Sequence, residues 1–206
     1  MRLIDFKKML KENTRNIEIY CDGAIKGVRS KGTKYGGIGI IPVQEDLFDY
    51  ISIPYIGKDL TNNKLEMLAV LFTILFSLEV SQEYKGKTNI NIKSDSEYTV
   101  NGYNKNLDKW INQGWKNYSG ADVKNKELWQ LIERVKYYLN RNRNKYYVNL
   151  QWTKGHDNEK YNELADEYAV KAKMEAYEDN DSAFSIEYAI DKANKFITKL
   201  EKKEVL

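Results

Sequence analysis

The chain is poor in cysteine, proline and histidine. Of its 206 residues one is cysteine (Cys21), two are proline and one is histidine (His156). A single cysteine permits no intramolecular disulfide, which excludes the stapled framework of a small secreted scaffold and suits a reducing interior. With two prolines, and 42% hydrophobic against 31% charged residues, the composition is that of a globular protein and argues against extensive disorder. The longest apolar run, Leu65 to Val80, is interrupted by Glu66 and Glu79 and is shorter than the roughly 20 residues that span a bilayer. The N-terminal MRLIDFKKML is charged throughout and has no apolar signal core. The expectation is an intracellular, cytoplasmic protein (nuclear or viral-factory if eukaryotic or viral), not secreted and with no membrane partner.

A large charge of one sign is also lacking. The net charge of +3 does not establish a polyanionic partner, but its distribution is uneven. Between Asn104 and Lys145 there are about ten basic residues against four acidic ones, whereas from Glu175 to Leu206 the balance is acidic. Any polyanion binding is therefore expected in the first of these segments.

Periodicity orders the rest. Leu3, Phe6, Met9 and Leu10 share one helical face, which predicts a short N-terminal helix over 1–16. IEIYCDG alternates as a strand that stops at Asp22-Gly23, and GIGIIPV and FDYISIPYI read as antiparallel strands. Thr61 can cap a long helix from Asn62 to about Gln82, whose all-round hydrophobicity implies burial. TNINIKSDS is a strand ending at Asp95, followed by a helical segment to Asn106 and an excursion over 107–120. NKELWQLIERVKYYLN is an amphipathic helix, YYVNLQWT a strand, and a helix after His156 runs to about Ala176. A last amphipathic segment reads as an add-on. The expected architecture is α/β, a mixed five-stranded sheet flanked by helices, with a core over 17–176 and short helical extensions at 1–16 and 177–206.

Right-handed crossover sets the first and fourth strands side by side and parallel, bringing Asp22 and Asp95 toward a common point. Glu66 joins them from one turn into an apolar helix, where an unpaired carboxylate costs several kcal/mol. Converging carboxylates must protonate or hold a cation. Oxygen ligands with one histidine select Mg²⁺ or Mn²⁺ over Zn²⁺ and suit two-metal phosphoryl transfer. Taken singly, each strand-end aspartate is more often a turn residue, His156 a surface loop residue, and the tryptophans core. For Trp129 the core reading is retained.

The strings YCDG, TNNKLEMLAV, IKSDSEYTV, GWK followed by VKNKELW, and TKGH followed by NELADEYA resemble, in order and spacing, the type I ribonuclease H family over about residues 17 to 173. The resemblance implies a ribonuclease H fold and two Mg²⁺ ions, for which Mn²⁺ can substitute, held by Asp22, Glu66, Asp95 and Asp166. For the last ligand two registers exist. Starting at Asn158-Glu159 puts Asn162 at the metal position, whereas starting at Asn162-Glu163 puts Asp166 there, with Tyr168 in place of the usual Leu. The second is taken, which leaves Asp157 as a solvated loop or capping residue. The resemblance further implies endonucleolytic cleavage of the RNA strand of an RNA/DNA hybrid to 5′-phosphate and 3′-hydroxyl ends, with His156 moving protons or aiding product release. Gly23, Asn62 and Asn63 would read the 2′-hydroxyl, Thr61 and Asn125 would grip a DNA phosphate, and Lys109, Trp110, Trp115 and Lys116 would match a basic protrusion on the DNA strand. Two departures stand out: the segment after Asp22 lacks the family's proline-containing turn, and Glu97 replaces a common Gln. The alternatives are a catalytically silent nucleic-acid-binding module of the same fold and a related two-metal DNA nuclease. The terminal helices could also serve a protein partner or self-association.

Overall fold

The computed structural model describes residues 14–27, 32–155 and 159–203. Five strands form one sheet in the order β3-β2-β1-β4-β5: β1 (Thr14–Lys26), β2 (Lys34–Pro42), β3 (Ile51–Gly57), β4 (Lys87–Ser94) and β5 (Tyr146–Trp152). β1, β4 and β5 run parallel, and β2 lies antiparallel between β1 and β3. The helices are α1 (Asn62–Ser81), α2 (Glu97–Asn101), α3 (Leu107–Asn112), α4 (Lys126–Arg141), α5 (Lys160–Glu178) and α6 (Ile186–Lys203). A π-helical turn, Gly102–Asn106, joins α2 to α3. The expected mixed five-stranded α/β architecture is the one observed.

β1 is longer at both ends than its alternation suggests. It opens at Thr14, so residues 14–16, expected in the N-terminal helix, are strand paired with Lys87, Thr88 and Asn89 of β4. Arg15 fixes this end by donating to Ser81 Oγ at 2.9 Å and to the carbonyl of Val80 at 3.2 Å. The remainder of the expected helix lies outside the described residues. At its other end β1 runs through Asp22-Gly23 to Lys26 as the partner of β2, whereas its pairing with β4 ends at Tyr20 opposite Lys93. Asp22 therefore stands where the parallel pairing stops, and Gly23-Ala24 is strand, not turn.

Two layers clamp the sheet. α1 is buried on one face, capped by Thr61 Oγ1, which accepts from the Lys64 N–H at 3.2 Å. On the other face α5 lies on β2 at backbone distance. A Cβ on Gly39 would fall 2.2 Å from the Ala165 carbonyl oxygen, and one on Gly37 2.4 Å from that of Ala169. Ala165, Ala169, Ala172 and Ala176 share the buried stripe of the helix that this approach requires. α6 is no loose appendage: Ile186, Ala189, Ala193, Ile197 and Leu200 enter the main core, where the helix packs on α4, α1 and β3. No helix among the described residues is long and apolar enough to cross a membrane.

Candidate active site

The β1–β4 pairing ends at Tyr20–Lys93, and Asp22 and Asp95 each lie two residues beyond that last pair. Asp22 is 9% exposed, and its Oδ1 accepts the Gly23 N–H at 2.7 Å. Gly23 is also the point where β1 meets α1, since a Cβ there would lie 2.6 Å from the Glu66 backbone nitrogen. That contact brings the first turn of α1, with Glu66, against Asp22.

Glu66 is held from two sides. Asn62 Nδ2 donates to Oε1 at 2.6 Å, and Ser96 Oγ donates to Oε2. Ser96 also caps α2, accepting the Thr99 N–H at 3.2 Å, so a buried hydroxyl both starts the helix after Asp95 and orients the carboxylate of Glu66. Sequence reasoning missed this role, although a serine directly after Asp95 and ahead of a helix signals a cap. On the far side Gly155 closes on Asp95, where a Cβ would lie 2.8 Å from Oδ2.

The fourth carboxylate, Asp166, follows Ala165 on α5 and is fixed by the close packing of that helix on Gly39. Asn162, one turn earlier, is buried with its Oδ1 unpartnered. His156, Asp157 and Asn158 lie outside the described residues.

The electrostatics show how crowded this corner is. Burial, and then the charge of Asp95, push the Asp22 carboxyl from 3.8 up to about 8; Asp166 and Glu66 add to the rise and the Gly23 N–H opposes it. Burial also raises Glu66, against the hydrogen bonds from Ser96 and Asn62. Yet among the described residues no three Asp, Glu, His or Cys side chains are close enough together to cage an ion as they stand. The charges of Asp95, Asp166 and Glu66 all act on Asp22, and that of Asp95 acts on Glu66 as well. Cys21 is no candidate ligand, because complete burial pushes its thiol up to about 12.

The other residues expected to meet a substrate lie at the start of α1, at the start of α4, and in and after α3. Thr61, Asn62 and Asn63 are exposed at the start of α1. Lys64 pairs with Glu127 at 3.8 Å and ties that end to the start of α4, where Asn125 stands at φ 56° with Nδ2 3.3 Å from the Tyr98 hydroxyl. Tyr98, which sequence reasoning also missed, accepts from Trp129 Nε1 at 3.1 Å and donates to the Lys124 carbonyl at 3.1 Å. Trp129 is fully buried, as its core reading expects, and Trp110 and Trp115 are half-buried against the core, Trp110 with its ring 5.2 Å from that of Trp129. Trp115, at φ 65°, starts a small loop closed by a Lys116–Asp122 bridge and a 2.7 Å ion pair between those side chains. Lys109 and Lys116 are exposed along this protrusion.

The RNase H family model matches residues 14–174. The ribonuclease H of Francisella philomiragia is 37% identical over 157 residues, covering 76% of this chain and 90% of that protein. Among solved structures, the RNase H domain of prototype foamy virus has a TM-score of 0.59 at 21% identity, covering 80% of this chain and 98% of that one. LC9-RNase H1, a type 1 RNase H, has a TM-score of 0.53 at 23% identity, covering 79% and 74%.

Proposed function

Because this chain belongs to the ribonuclease H family and is a ribonuclease H hydrolase, we propose that it cuts the RNA strand of RNA/DNA hybrids endonucleolytically, leaving 5′-phosphate and 3′-hydroxyl ends. The observation that carries the reading is the buried Asp22 carboxyl just beyond the end of the β1–β4 pairing, raised to about 8 first by burial and then by the charges of Asp95, Asp166 and Glu66. Such an excess of negative charge is stable at neutral pH when cations share it.

The donor set fits Mg²⁺, with Mn²⁺ as a substitute: four carboxylates and no available thiolate. Asp22, Glu66, Asp95 and Asp166 would hold two ions. When bound, the pair supplies positive charge that activates the attacking water and stabilises the departing 3′-oxygen. The remaining work falls to the chain itself. Ser96 and Asn62 turn the Glu66 carboxylate toward the site, the Gly23 N–H holds Asp22, and His156 takes or delivers a proton. Thr61 and Asn125 grip a phosphate of the DNA strand. Gly23, Asn62 and Asn63 meet 2′-hydroxyls of the RNA, and Lys109, Trp110, Trp115 and Lys116 carry the DNA strand along the protrusion.

The test is a labelled RNA/DNA hybrid incubated with protein and Mg²⁺. Cleavage confined to the RNA strand, abolished by EDTA and by Asp95→Asn while hybrid binding persists, is the expected outcome. Absence of cleavage at micromolar protein would mean a silent binding module, and cleavage of duplex DNA would mean a DNA nuclease.

A further inference from the structure

From Arg134 to His156 the chain carries six Lys and Arg residues and no Asp or Glu. Arg134 pairs with Glu201 at 2.7 Å and Lys136 with Asp108 at 3.2 Å. Arg141, Arg143 and Lys145 fall in and beside the turn between α4 and β5. That turn is stitched to the one preceding β4: the Thr88 N–H donates to the Lys145 carbonyl at 2.8 Å, and Lys145 Nζ to the Gln82 carbonyl at 3.1 Å. The second turn adds Lys85 and Lys87 against the single carboxylate of Glu83. The paired turns therefore concentrate five cations on one end of the molecule.

Aromatic rings lie among the cations. Tyr137 is 63% exposed and Tyr147 54%. The Arg141 guanidinium lies 5.8 Å from the ring centre of Tyr137, and the Lys87 ammonium 5.8 Å from that of Tyr147. Their partners in the sequence, Tyr138 and Tyr146, point inward and stack on each other. Each YY pair thus gives one ring to the core and one to solvent, and the solvent-facing ring is beside a cation. Cations interleaved with exposed aromatic faces suit single-stranded nucleic acid, whose phosphates meet the charges while its unstacked bases lie on the rings. A solvated basic face would not need the tyrosines, and a duplex hides its base faces.

This patch is separate from the carboxylates. Lys87 begins β4 and Asp95 follows its end, which at about 3.3 Å per residue places them roughly 25 Å apart. We propose that the Tyr137–Arg141–Arg143 and Lys85–Lys87–Tyr147 surface is a second nucleic-acid site, one that takes single strands and lies apart from the hybrid-cleaving site. A strand held there would anchor the protein beside a hybrid carrying a single-stranded tail and raise its effective concentration at that hybrid.

The test is fluorescence anisotropy of a labelled oligo-dT in EDTA, with the full chain, over a range of salt. The double substitution Arg141→Ala/Arg143→Ala should weaken binding about tenfold and lower the log–log salt slope by about 1.4, at about 0.7 per phosphate contact. Tyr147→Ala should weaken binding about tenfold with the slope retained, as loss of a stacked base demands. Blunt-ended hybrids should be cut at the wild-type rate by the arginine variant and tailed hybrids less efficiently, so failure of this site is distinguishable from failure of the hybrid-cleavage reading. No oligonucleotide binding at low salt, loss of binding on Lys109→Ala/Lys116→Ala in place of the arginine variant, or binding only to vesicles containing phosphatidylglycerol would each overturn the proposal.

Discussion

Replacing Asp22 by Asn should stabilise the metal-free protein, by an amount that grows with pH. In the unfolded chain the carboxyl ionises near 3.8, whereas in the folded chain burial and the charges of Asp95, Asp166 and Glu66 hold the proton until about pH 8. Below pH 3.8 both states are protonated and the group costs the fold nothing. Between those values only the unfolded state has lost its proton, so the wild type loses stability with rising pH, and above about 8 the loss levels off. The slope is at most about 1.4 kcal/mol per pH unit, which over roughly four units sets a ceiling near 5–6 kcal/mol. Because part of the rise comes from the charges of neighbouring carboxylates, which salt screens, about half of that, ~2–3 kcal/mol at pH 8, is the figure to expect. Asn has the same shape and can still accept the Gly23 N–H, so the comparison isolates the charge. Urea unfolding in EDTA at pH 4.5 and pH 8, for wild type and Asp22→Asn, reads the effect as a difference in midpoint at constant m. A variant no more stable than wild type at pH 8, or equally stabilised at both pH values, would refute the electrostatic account. Millimolar Mg²⁺ should then close the gap by stabilising the wild type alone, since a ligand that binds only the folded state adds RT ln(1 + [L]/Kd).

Three other outcomes follow from the packing and the surface charge. Ile197→Ala removes a fully buried side chain between α6 and the core, and should cost about 2–5 kcal/mol; at about 2–4 °C per kcal/mol this lowers Tm by roughly 4–20 °C in calorimetry, with cleavage unchanged well below the transition. Gly39→Ala drives a methyl to 2.2 Å from a backbone carbonyl of α5, so it should cost at least about 1–3 kcal/mol and, by shifting Asp166, slow single-turnover cleavage at temperatures where the fold persists. Lys109→Ala/Lys116→Ala should weaken hybrid binding and lower its salt slope by about 1.8 while leaving kcat near wild type; the exposed Lys116–Asp122 pair, worth little by itself, offers no stability readout.

How much of this was legible in the sequence depends on where the information resides. Alternation identified the strands, and the apolar run identified α1 as buried, because side-chain direction in those elements repeats with a fixed period. The end of β1 was not legible in the same way. Asp22-Gly23 has the composition of a turn, and nothing local says that a missing side chain is needed for strand to pass beneath α1. The role of α6 was half legible: its amphipathic stripe announces a buried face but not what buries it, and the answer came from α4, α1 and β3. For the site, position in the predicted elements selected Asp22, Glu66 and Asp95, because carboxylates at strand ends and in an apolar helix are costly enough to call for an explanation, whereas Asp166 came only from the resemblance of NELADEYA to the family's motif. Ser96 and Tyr98 escaped because a hydroxyl is cheap anywhere, and only the fold reveals that one orients Glu66 while the other links α2 to Trp129 and Asn125. The signal for α5 was present but distributed: glycines in β2 and alanines at helical spacing more than a hundred residues later mean little apart. Together they require a helix in backbone contact with the sheet. That contact gives Asp166 a fixed place relative to Asp22, so the position of the fourth carboxylate is set by the residues that have the least chemistry of their own.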